Sequence, residues 1–378
     1  MKVGLISFHT FSQPGGVKRY ILGLADEFKK RGIETKIIVP RRKASENYGP
    51  DVILLGKSFA VNYAGSQGDL YLNFNLTKVS KVLEKEKFDI LHFHNFGLPS
   101  AFEVLEKSNS LNILNILTFH ANLERNNFLE KVPGLMYILD KLAQRKISGI
   151  IGVAPLNLEA FKHYEGLKTV IPNGIDLNEF KPEGPKINKL IDGKINILFL
   201  GRLEERKGLI YLLKAYKILS KKYKNIKLIV VGDGPLKKEY QDWAKKNKIE
   251  NIIFETKMDE KQAPEYYRSC DIYCSPAIYG ESFGIVLIEA MATGKPVVAY
   301  ANEGYKGVLA KGKGNRFLVK PKDVKTLTKK LEELIENEKL RKEMGDWGIE
   351  EAKKYSWPKV ADKVLAFYKE CEKKRIDK

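Results

Sequence analysis

The sequence contains little cysteine and little histidine. Its 378 residues include three cysteines, Cys270, Cys274 and Cys371, and five histidines. Cys270 and Cys274 flank the strand-like tripeptide DIY, and no cluster of His and Cys completes a metal-binding set. We therefore predict buried free thiols and no metal site. So few cysteines are typical of a protein of a reducing compartment, which favours the cytoplasm.

Long apolar runs are also lacking. The N-terminal segment MKVGLISFHT is too short, and turns polar too early, for a secretory signal peptide. No apolar run approaches the roughly 18 residues that a membrane-spanning helix needs. These two absences predict a cytoplasmic chain that does not cross a membrane.

Acidic residues are outnumbered, since 47 Asp and Glu stand against 66 Lys and Arg, for a formal net charge of +19. Such a charge attracts anions, whether nucleic acid, acidic lipid or phosphorylated metabolites. Nucleic acid is not favoured, because the chain lacks a recognition motif and a stripe of interleaved aromatic and basic residues. We interpret the basic runs as solvated surface, although those nearer the N-terminus also suit peripheral contact with the anionic inner face of a membrane. The runs are Lys29–Gly32, Pro40–Lys43, Ser220–Lys227 and Ala244–Lys248.

The sequence does contain a regular alternation of short apolar runs and amphipathic segments. Residues 16–32 place Tyr20, Leu24 and Phe28 at helical spacing and end at Gly32. Strand-like runs separate such segments in both halves, a βαβ pattern that predicts parallel sheets covered by helices. The predicted strands are KVGLISF, ETKIIVP, Phe88–His94, Asn112–His120 and Gly149–Ala154 in the first half, and Ile195–Gly201, IKLIVVGDG, NIIFETK, DIYCSP and KPVVAY in the second.

The alternation stops around Ile171–Lys194, a segment rich in Pro, Gly and Asn. A chain of 378 residues is long enough for two domains, and we place the link near residues 172–194. The sequence thus predicts two α/β domains, residues 1–175 and 176–356, each a Rossmann-like, doubly wound parallel sheet, facing a central cleft. Ligands of such sheets bind beyond the carboxyl ends of the strands.

Two glycines, Gly15 and Gly16, follow the first predicted strand within QPGGVKRY. Backbone without side chains lets an anion approach the N-terminus of the next helix, where free N–H groups and the helix dipole favour negative charge. A plain turn from loop to helix is the alternative. The G-x-G-x-x-G spacing of a dinucleotide fingerprint is missing.

Two cations, Arg202 and Lys207, follow the predicted strand that ends at Gly201. The fork of an arginine and the point charge of a lysine, near the carboxyl end of a strand, suit a diphosphate. The alternative is that both cations pair with Glu204 and Glu205 in the same loop.

Two carboxylates, Glu281 and Glu289, lie in the largely apolar segment Tyr279–Tyr300 with seven residues between them. A helix is predicted from about Phe283–Gly284 to Gly294, and its first N–H groups offer a further phosphate site. Glu289 lies more than one turn into this helix, where an unpaired buried carboxylate would cost several kcal/mol. It therefore needs a hydrogen-bond partner. Ribose hydroxyls are suitable, and a structural salt bridge is the alternative.

Four of the five histidines, His9, His92, His94 and His120, lie at or just after predicted strand ends. A single histidine at such a place is more often structural, but four of them favour a site. His120, within LTFHAN, is the preferred candidate for contact with a substrate.

Taken together, these motifs resemble a known family. GESFGIVLIEAMATGKPVVA resembles the E-x7-E signature of the retaining glycosyltransferases of family 4, which have the GT-B architecture. QPGGVKRY, DILHFH, TFH, VIPNGID, LFLGRLEERKG, VVGDGP, YYRSCDIYCSP and the near-terminal YSWPKVADKVLAFYKE follow in that family's order and spacing. The resemblance covers nearly the whole chain, and E-x7-E together with Gly-Arg-x4-Lys is a specific combination.

The resemblance implies a donor-binding role for the second domain and an acceptor-binding role for the first. Arg202 and Lys207 would bind the donor diphosphate, and Glu289 would hold the ribose hydroxyls. Gly15 and Gly16 would approach the donor from the first domain. The diphosphate cradle would be completed by the amides of Phe283, Gly284 and Ile285.

The resemblance also implies two candidates for catalysis. Glu281 would contact hydroxyls of the transferred sugar, and His120 would lie beside the reacting sugar. The last helix, about residues 357–378, would pack back onto the first domain. One departure concerns the loop at Gly304, where NEGYKGVLAKGKGNRF replaces the family's Gly-Gly-x-Pro-Glu, so that contacts of this loop are not carried over.

The implied reaction is metal-independent transfer of a hexosyl group, with retention, from a UDP- or GDP-linked sugar. The acceptor would be a hydroxyl of a glycan, a lipid-linked molecule or a small molecule. The nucleotide sugar is a co-substrate, and no cofactor is implied. The alternatives are a nucleotide-sugar epimerase of the same architecture and, less favoured, a basic nucleic-acid-binding protein.

Overall fold

The computed structural model describes residues 1–12, 15–63, 66–72, 76–96, 100–122, 134–256 and 259–376. The chain forms two compact units: unit 1 joins Met1–Gly174 to Trp357–Lys378, and unit 2 is Ile175–Ser356. Some sequence predictions fall outside the described residues, namely Gln13 and Pro14 of the first motif, Lys257 of a predicted strand, and residues 377–378 of the predicted last helix.

Unit 1 contains an eight-stranded sheet of order β4-β3-β2-β1-β5-β6-β7-β8. Neighbouring strands are parallel except β3 and β4, which pair antiparallel. From β1 the strand order continues to β4 on one side and from β5 to β8 on the other. The topological switch point of this sheet therefore lies between the parallel strands β1 and β5. The strands are β1 Lys2–Ser7, β2 Glu34–Arg41, β3 Val52–Tyr63, β4 Ser66–Leu72, β5 Ile90–His94, β6 Leu114–Phe119, β7 Gly149–Gly152 and β8 Leu167–Val170.

Helices connect these strands, and their apolar faces cover the sheet. In the first helix Tyr20, Leu24 and Phe28 are buried, which confirms the helical spacing expected from the sequence. Every residue of β5 and β6 is buried, as expected of parallel strands with both faces covered. The helices of this part are α1 Gly16–Lys30, α2 Leu76–Glu86, α3 Ser100–Ser110, α4 Leu135–Lys146 and the short α5 Pro155–Leu158.

Unit 2 contains a six-stranded, wholly parallel sheet of order β11-β10-β9-β12-β13-β14. Strands β9 and β12 are therefore neighbours, although β10 and β11 lie between them along the chain. The carboxyl ends of β9 and β12 meet at the point where the strand order reverses. The strands are β9 Ile195–Leu200, β10 Ile226–Val231, β11 Ile252–Glu255, β12 Ile272–Ser275, β13 Val297–Tyr300 and β14 Leu318–Val319.

The helices of unit 2 bury apolar side chains against this sheet. In α6, Leu212, Leu213 and Tyr216 belong to the same core cluster as Ile197 of β9 and Leu228 of β10. The helices are α6 Leu209–Lys222, α7 Lys237–Lys246, α8 Ala263–Ser269, α9 Ile285–Ala292, α10 Glu303–Leu309, α11 Val324–Glu336 and α12 Glu338–Ala352.

The last helix, α13 Trp357–Ile376, belongs to unit 1. Arg31, at the end of α1, binds Asp362 of α13 with Nη1 and Oδ1 2.6 Å apart. A side chain at Gly23 of α1 would overlap the indole of Trp357, so this glycine allows α1 and α13 to approach closely. Unit 1 is thus built from two stretches of chain that flank unit 2 in the sequence.

The parallel sheets predicted for both halves are confirmed, and all three cysteines are free and buried as expected. The antiparallel pairing of β3 with β4 was not predicted. Within the described residues, no helix combines the length and apolar character needed to cross a bilayer.

Candidate active site

The loop after β9 carries Arg202 and is held in place by the exit of β10. Gly201 N–H donates to the carbonyl of Val231 at 3.0 Å, and Leu203 N–H donates to that of Asp233 at 2.9 Å. A Cβ on Gly234 would lie 2.5 Å from the carbonyl oxygen of Leu203, so this close approach requires glycine. The Arg202 side chain is 49% exposed.

A short 3₁₀ turn, Glu205–Lys207, brings this loop against the segment that follows β12. Gly208 ends the turn with φ 67°, and a side chain there would overlap the carbonyl oxygen of Pro276. Ile278 N–H donates to the carbonyl of Arg206 at 2.8 Å. Because β9 and β12 are adjacent in the sheet, these two exit loops form one surface.

Ion pairs join the two loops. The Nζ of Lys207 lies 2.6 Å from Oε1 of Glu281, and Nη1 of Arg206 lies 2.9 Å from the same oxygen. Arg206 Nε also lies 2.6 Å from Glu204, whereas Arg202 Nε is 3.7 Å from Glu204. The alternative expected from the sequence therefore holds loosely for Arg202 and is wrong for Lys207, whose carboxylate partner comes from the neighbouring strand's loop.

Glu281 is an ionised carboxylate in this setting. Burial alone would raise its pKa, but Lys207 and Arg206 oppose burial through their charges and hydrogen bonds, and the net effect lowers the pKa of Glu281. Burial alone would lower the pKa of Arg206, but the charges of Glu281 and Glu204 outweigh burial and raise it. The loops thus present a fixed pattern of charge.

Helix α9 begins at Ile285, and Gly284 precedes it as the N-cap with φ 99°. A Cβ on Gly284 would lie 2.6 Å from the ring of Tyr305, so both the positive φ and the close contact require glycine. Among the described residues, the amides of Phe283, Gly284 and Ile285 have no hydrogen-bond acceptor. The predicted helix start near Phe283–Gly284 is thus close to the observed one, and its first N–H groups are available to a ligand.

The segment that departs from the family pattern supports the Glu281 loop. A side chain on Gly304 would overlap the carbonyl oxygen of Glu281. Asn302 donates through Nδ2 to the carbonyl of Ala277 at 2.9 Å, and the hydroxyls of Tyr305 and Ser275 are 2.7 Å apart. The segment around Gly304 therefore packs against the Glu281 loop and supports it.

Glu289 lies in α9 and is only 2% exposed. Its Oε2 accepts a hydrogen bond of 2.9 Å from the hydroxyl of Tyr267, which is fully buried in α8. Tyr267 thus supplies a partner of the kind that the buried carboxylate requires.

In unit 1 the structure groups three histidines next to α1. His120 follows β6; its backbone N–H donates to Oδ1 of Asn95 at 2.7 Å, and its Nε2 lies 3.1 Å from Nδ1 of His94. The ring of Tyr20, from α1, contacts the ring of His120 at a centroid distance of 4.9 Å. Burial, and to a lesser degree the charge of His9, lowers the pKa of His120 to about 3, so that His120 is neutral near pH 7.

His92 does not lie at a strand end, which corrects the expectation for this residue. It is the third residue of β5, fully buried, with Nε2 2.6 Å from Oγ1 of Thr118 and Nδ1 2.6 Å from the hydroxyl of Tyr368. Burial lowers its pKa to about 3. His92 therefore joins β5, β6 and α13, which is a structural role.

Gly15 and Gly16 stand at the start of α1, and a Cβ on either would meet nothing within 4 Å. Steric crowding therefore does not explain why these two positions are glycine, because the space beside their backbone is open.

The structure thus places the candidate site residues in two groups. His120, Gly15 and Gly16 belong to unit 1. In unit 2, Arg202 and Lys207 lie on the β9 loop, and Glu281, Phe283, Gly284, Ile285 and Glu289 lie on the β12 loop and α9.

Comparison with known proteins agrees with this arrangement. The profile of the family described as "Glycosyl transferases group 1" matches residues 180–351, and that of "Glycosyltransferase Family 4" matches residues 14–179. The chain is 31% identical to a phosphatidyl-myo-inositol mannosyltransferase of Mycobacterium leprae, over 97% of this chain and 96% of the relative. The chain belongs to glycosyltransferase family 4. The corresponding enzyme of Mycolicibacterium smegmatis is 30% identical over 97% and 93% of the two chains.

Solved glycosyltransferases share the fold. The crystal structure of Anabaena HepE in complex with UDP-glucose superimposes with a TM-score of 0.76 at 20% sequence identity, covering 98% of this chain and all of that one. This glycosyltransferase is therefore a two-domain enzyme of the GT-B type, as the sequence resemblance implied.

Arg206, Tyr267 and Tyr305 are the site residues that sequence reasoning missed. Arg206 stood directly before Lys207 in the same motif, and its charge was a usable signal. Tyr267 and Tyr305 carried no signal, because tyrosine is intermediate in its tendency to be buried and its place in the sequence does not show what its hydroxyl contacts.

Proposed function

We propose that this glycosyltransferase takes a hexosyl group from a nucleoside-diphosphate sugar bound by unit 2. The observation that carries the proposal is the 2.6 Å contact between Lys207 and Glu281, which joins the cationic β9 loop to the E-x7-E segment. Arg202 and Lys207 supply positive charge there, and the amides at the start of α9 supply free donors. Cations and helix N-termini are the groups that hold phosphate oxygens.

The same groups suit the chemistry of transfer. As the bond from the sugar to the diphosphate breaks, negative charge grows on the leaving phosphate, and preorganised donors stabilise it. Glu289 would hold the ribose hydroxyls and Glu281 the sugar hydroxyls, while His120, neutral near pH 7, would act beside the sugar as a hydrogen-bonding group. We propose front-face attack by the acceptor hydroxyl, with retention, with the leaving phosphate accepting its proton and with no metal.

The favoured sugar is mannose and the favoured acceptor is a hydroxyl of an inositol phospholipid. Both follow from relatives named phosphatidyl-myo-inositol mannosyltransferase that match 97% of this chain. The charge of +19 suits an anionic lipid surface. We therefore propose a cytoplasmic enzyme that works at the inner face of a membrane, with unit 1 binding the acceptor.

Thermal unfolding with a panel of UDP- and GDP-sugars tests the donor, since a ligand of the native state raises the apparent stability. The donor found is then incubated with phosphatidylinositol vesicles, with and without EDTA, and the anomeric configuration of the product is read by NMR. We expect GDP-mannose to give an α-linked mannolipid in both conditions. Conversion of the free donor without any acceptor would instead identify an epimerase, and no stabilisation by any sugar nucleotide would refute the proposal.

A further inference from the structure

Arg206 is the most firmly held of the cations in the two loops of unit 2. Its Nε and Nη1 bind two different carboxylates, Glu204 at 2.6 Å and Glu281 at 2.9 Å. Its carbonyl accepts the amide hydrogen of Ile278, and a Cβ on Gly280 would lie 3.4 Å from its Cδ. Arg206 is therefore fixed to the segment after β12 through both its backbone and its side chain.

Lys207 and Arg202 are held less firmly. Within the described residues, Glu281 is the one carboxylate that pairs with Lys207. Arg202 is half exposed and reaches Glu204 only at 3.7 Å. An ammonium group on a flexible stem exchanges partners more readily than a guanidinium fork bound to two acids. Lys207 is thus the cation of the pair at Glu281 that can leave.

Glu281 shares one oxygen between these two cations. Arg206 and Lys207 both donate to Oε1. The Glu281 side chain is 11% exposed, and a buried charge that loses its compensating partner is strongly destabilising. If a diphosphate attracts Lys207, the bond from Arg206 to the same oxygen helps to keep Glu281 ionised and in place.

Building on the proposed function, we propose that Arg206 is a positioning residue: it holds Glu281 towards the transferred sugar while Lys207 passes from Glu281 to the diphosphate of the donor. Only ion pairs and hydrogen bonds change in this step, and no covalent bond is made or broken. Arg206 itself does not touch the phosphates. Its loss should thus affect turnover more than nucleotide affinity.

The test compares Arg206→Gln with Arg206→Lys and with Arg316→Gln, a matched control whose arginine is 55% exposed and pairs with Glu333. The readouts are kcat and KM with the nucleotide sugar that the wild type uses, and Kd for UDP and GDP. We expect Arg206→Gln to lower kcat about 10- to 100-fold while Kd changes less than about threefold. Arg206→Lys should recover part of kcat, and Arg316→Gln should behave as wild type.

A double-mutant cycle with Glu281→Gln shows whether Arg206 acts through Glu281. We expect Arg206→Gln to add little to the loss already caused by Glu281→Gln. Additive losses, an unchanged kcat, or a loss of UDP and GDP affinity as large as that of Arg202→Gln would each overturn the proposal. If Arg206→Gln does not fold, Glu204→Gln, which removes one of the two carboxylates that hold Arg206, should lower kcat in the same way, and an unchanged kcat would count against the inference.

Nucleotide binding and sugar transfer by the wild-type protein distinguish a failure of this inference from a failure of the proposed function. A wild-type protein that binds no nucleotide and transfers no sugar contradicts the proposed function, and the inference falls with it. A wild type that binds and transfers, beside an Arg206→Gln variant of equal kcat, leaves the proposed function standing and overturns only the role of Arg206.

Discussion

The hydroxyl of Tyr267 lies 2.9 Å from Oε2 of Glu289, and both side chains are buried in unit 2. The carboxylate lies on α9 and the tyrosine on α8, so this bond ties together two helices that follow different strands. A buried carboxylate in an apolar helix is tolerated because such donors compensate it.

Tyr267→Phe should lower the free energy of unfolding by about 1–3 kcal/mol, because it removes a buried donor from a carboxylate. It should also weaken nucleotide binding, since Glu289 then adjusts its position. Urea unfolding and calorimetric titration with the donor measure the two effects. The adjacent Tyr266→Phe is the control, as the hydroxyl of Tyr266 makes no hydrogen bond among the described residues. Equal behaviour of the two variants would contradict the importance of the bond.

Arg202→Ala should leave folding almost intact and weaken donor binding. The side chain is 49% exposed and its ion pair is long, so we expect a stability change within about 0.5 kcal/mol. Loss of a charge-assisted contact to the diphosphate should raise Kd for the nucleotide sugar about tenfold or more. Arg316→Ala, also an exposed arginine of unit 2, should keep the wild-type Kd. Wild-type affinity in Arg202→Ala would remove Arg202 from the site.

Gly304→Ala should reduce transfer activity, because the new methyl group overlaps the carbonyl oxygen of Glu281 and displaces its loop. Gly307→Ala is the matched control in the same helix, where a Cβ meets nothing within 4 Å. There the higher helix propensity of alanine should stabilise by up to about 1 kcal/mol. Steady-state kinetics and thermal unfolding of both variants check this, and full activity in Gly304→Ala would show that the loop tolerates displacement.

Acid should destabilise unit 1 more steeply than carboxylate titration alone. Burial lowers the pKa of His92 and His120 from 6.5 to about 3, and lowers that of His94 well below 6.5. Below pH 6.5 the histidines of the unfolded chain are protonated while those of the folded chain are not. The free energy of unfolding therefore decreases as the pH is lowered, until the folded histidines are protonated near pH 3. Each such group contributes up to about 1.4 kcal/mol per pH unit.

Urea unfolding at pH 7.5, 6.5, 5.5 and 4.5 measures this slope, followed by fluorescence of Trp357 in a variant with the other two tryptophans replaced. His92→Gln should make the slope shallower, because the unfolded chain then has one fewer histidine to protonate. A slope that is identical in wild type and His92→Gln would show that His92 does not titrate on unfolding.

The sheets could be predicted from the sequence because parallel strands are buried on both faces and appear as uninterrupted apolar runs. The loops of the site could be located because they follow such runs. The antiparallel β4 could not be found this way, since its residues Ser66–Leu72 form no continuous apolar run. His92 was wrongly grouped with the histidines at strand ends, because the predicted strand Phe88–His94 and the observed β5 both end two residues later, at His94.

The partners of the charged residues could not be predicted, because they depend on the order of strands in the sheet. Along the chain the nearest acids to Lys207 are Glu204 and Glu205, yet Glu281 pairs with it, 74 residues away. This contact exists because the chain returns after β11 to place β12 beside β9. The pattern of apolar runs does not encode that return.

Unit 1 is formed by two separate segments of the chain, and this has a consequence for its folding during synthesis on the ribosome. Unit 2 is continuous in the chain and is complete before the final helix emerges, whereas unit 1 still lacks Tyr368, the partner of its buried His92. The first unit therefore stays incomplete, with His92 of β5 lacking this partner, until α13 has emerged from the ribosome. Deleting the turns of α13 that carry Tyr368 would thus destabilise unit 1, although most of this unit is synthesised first.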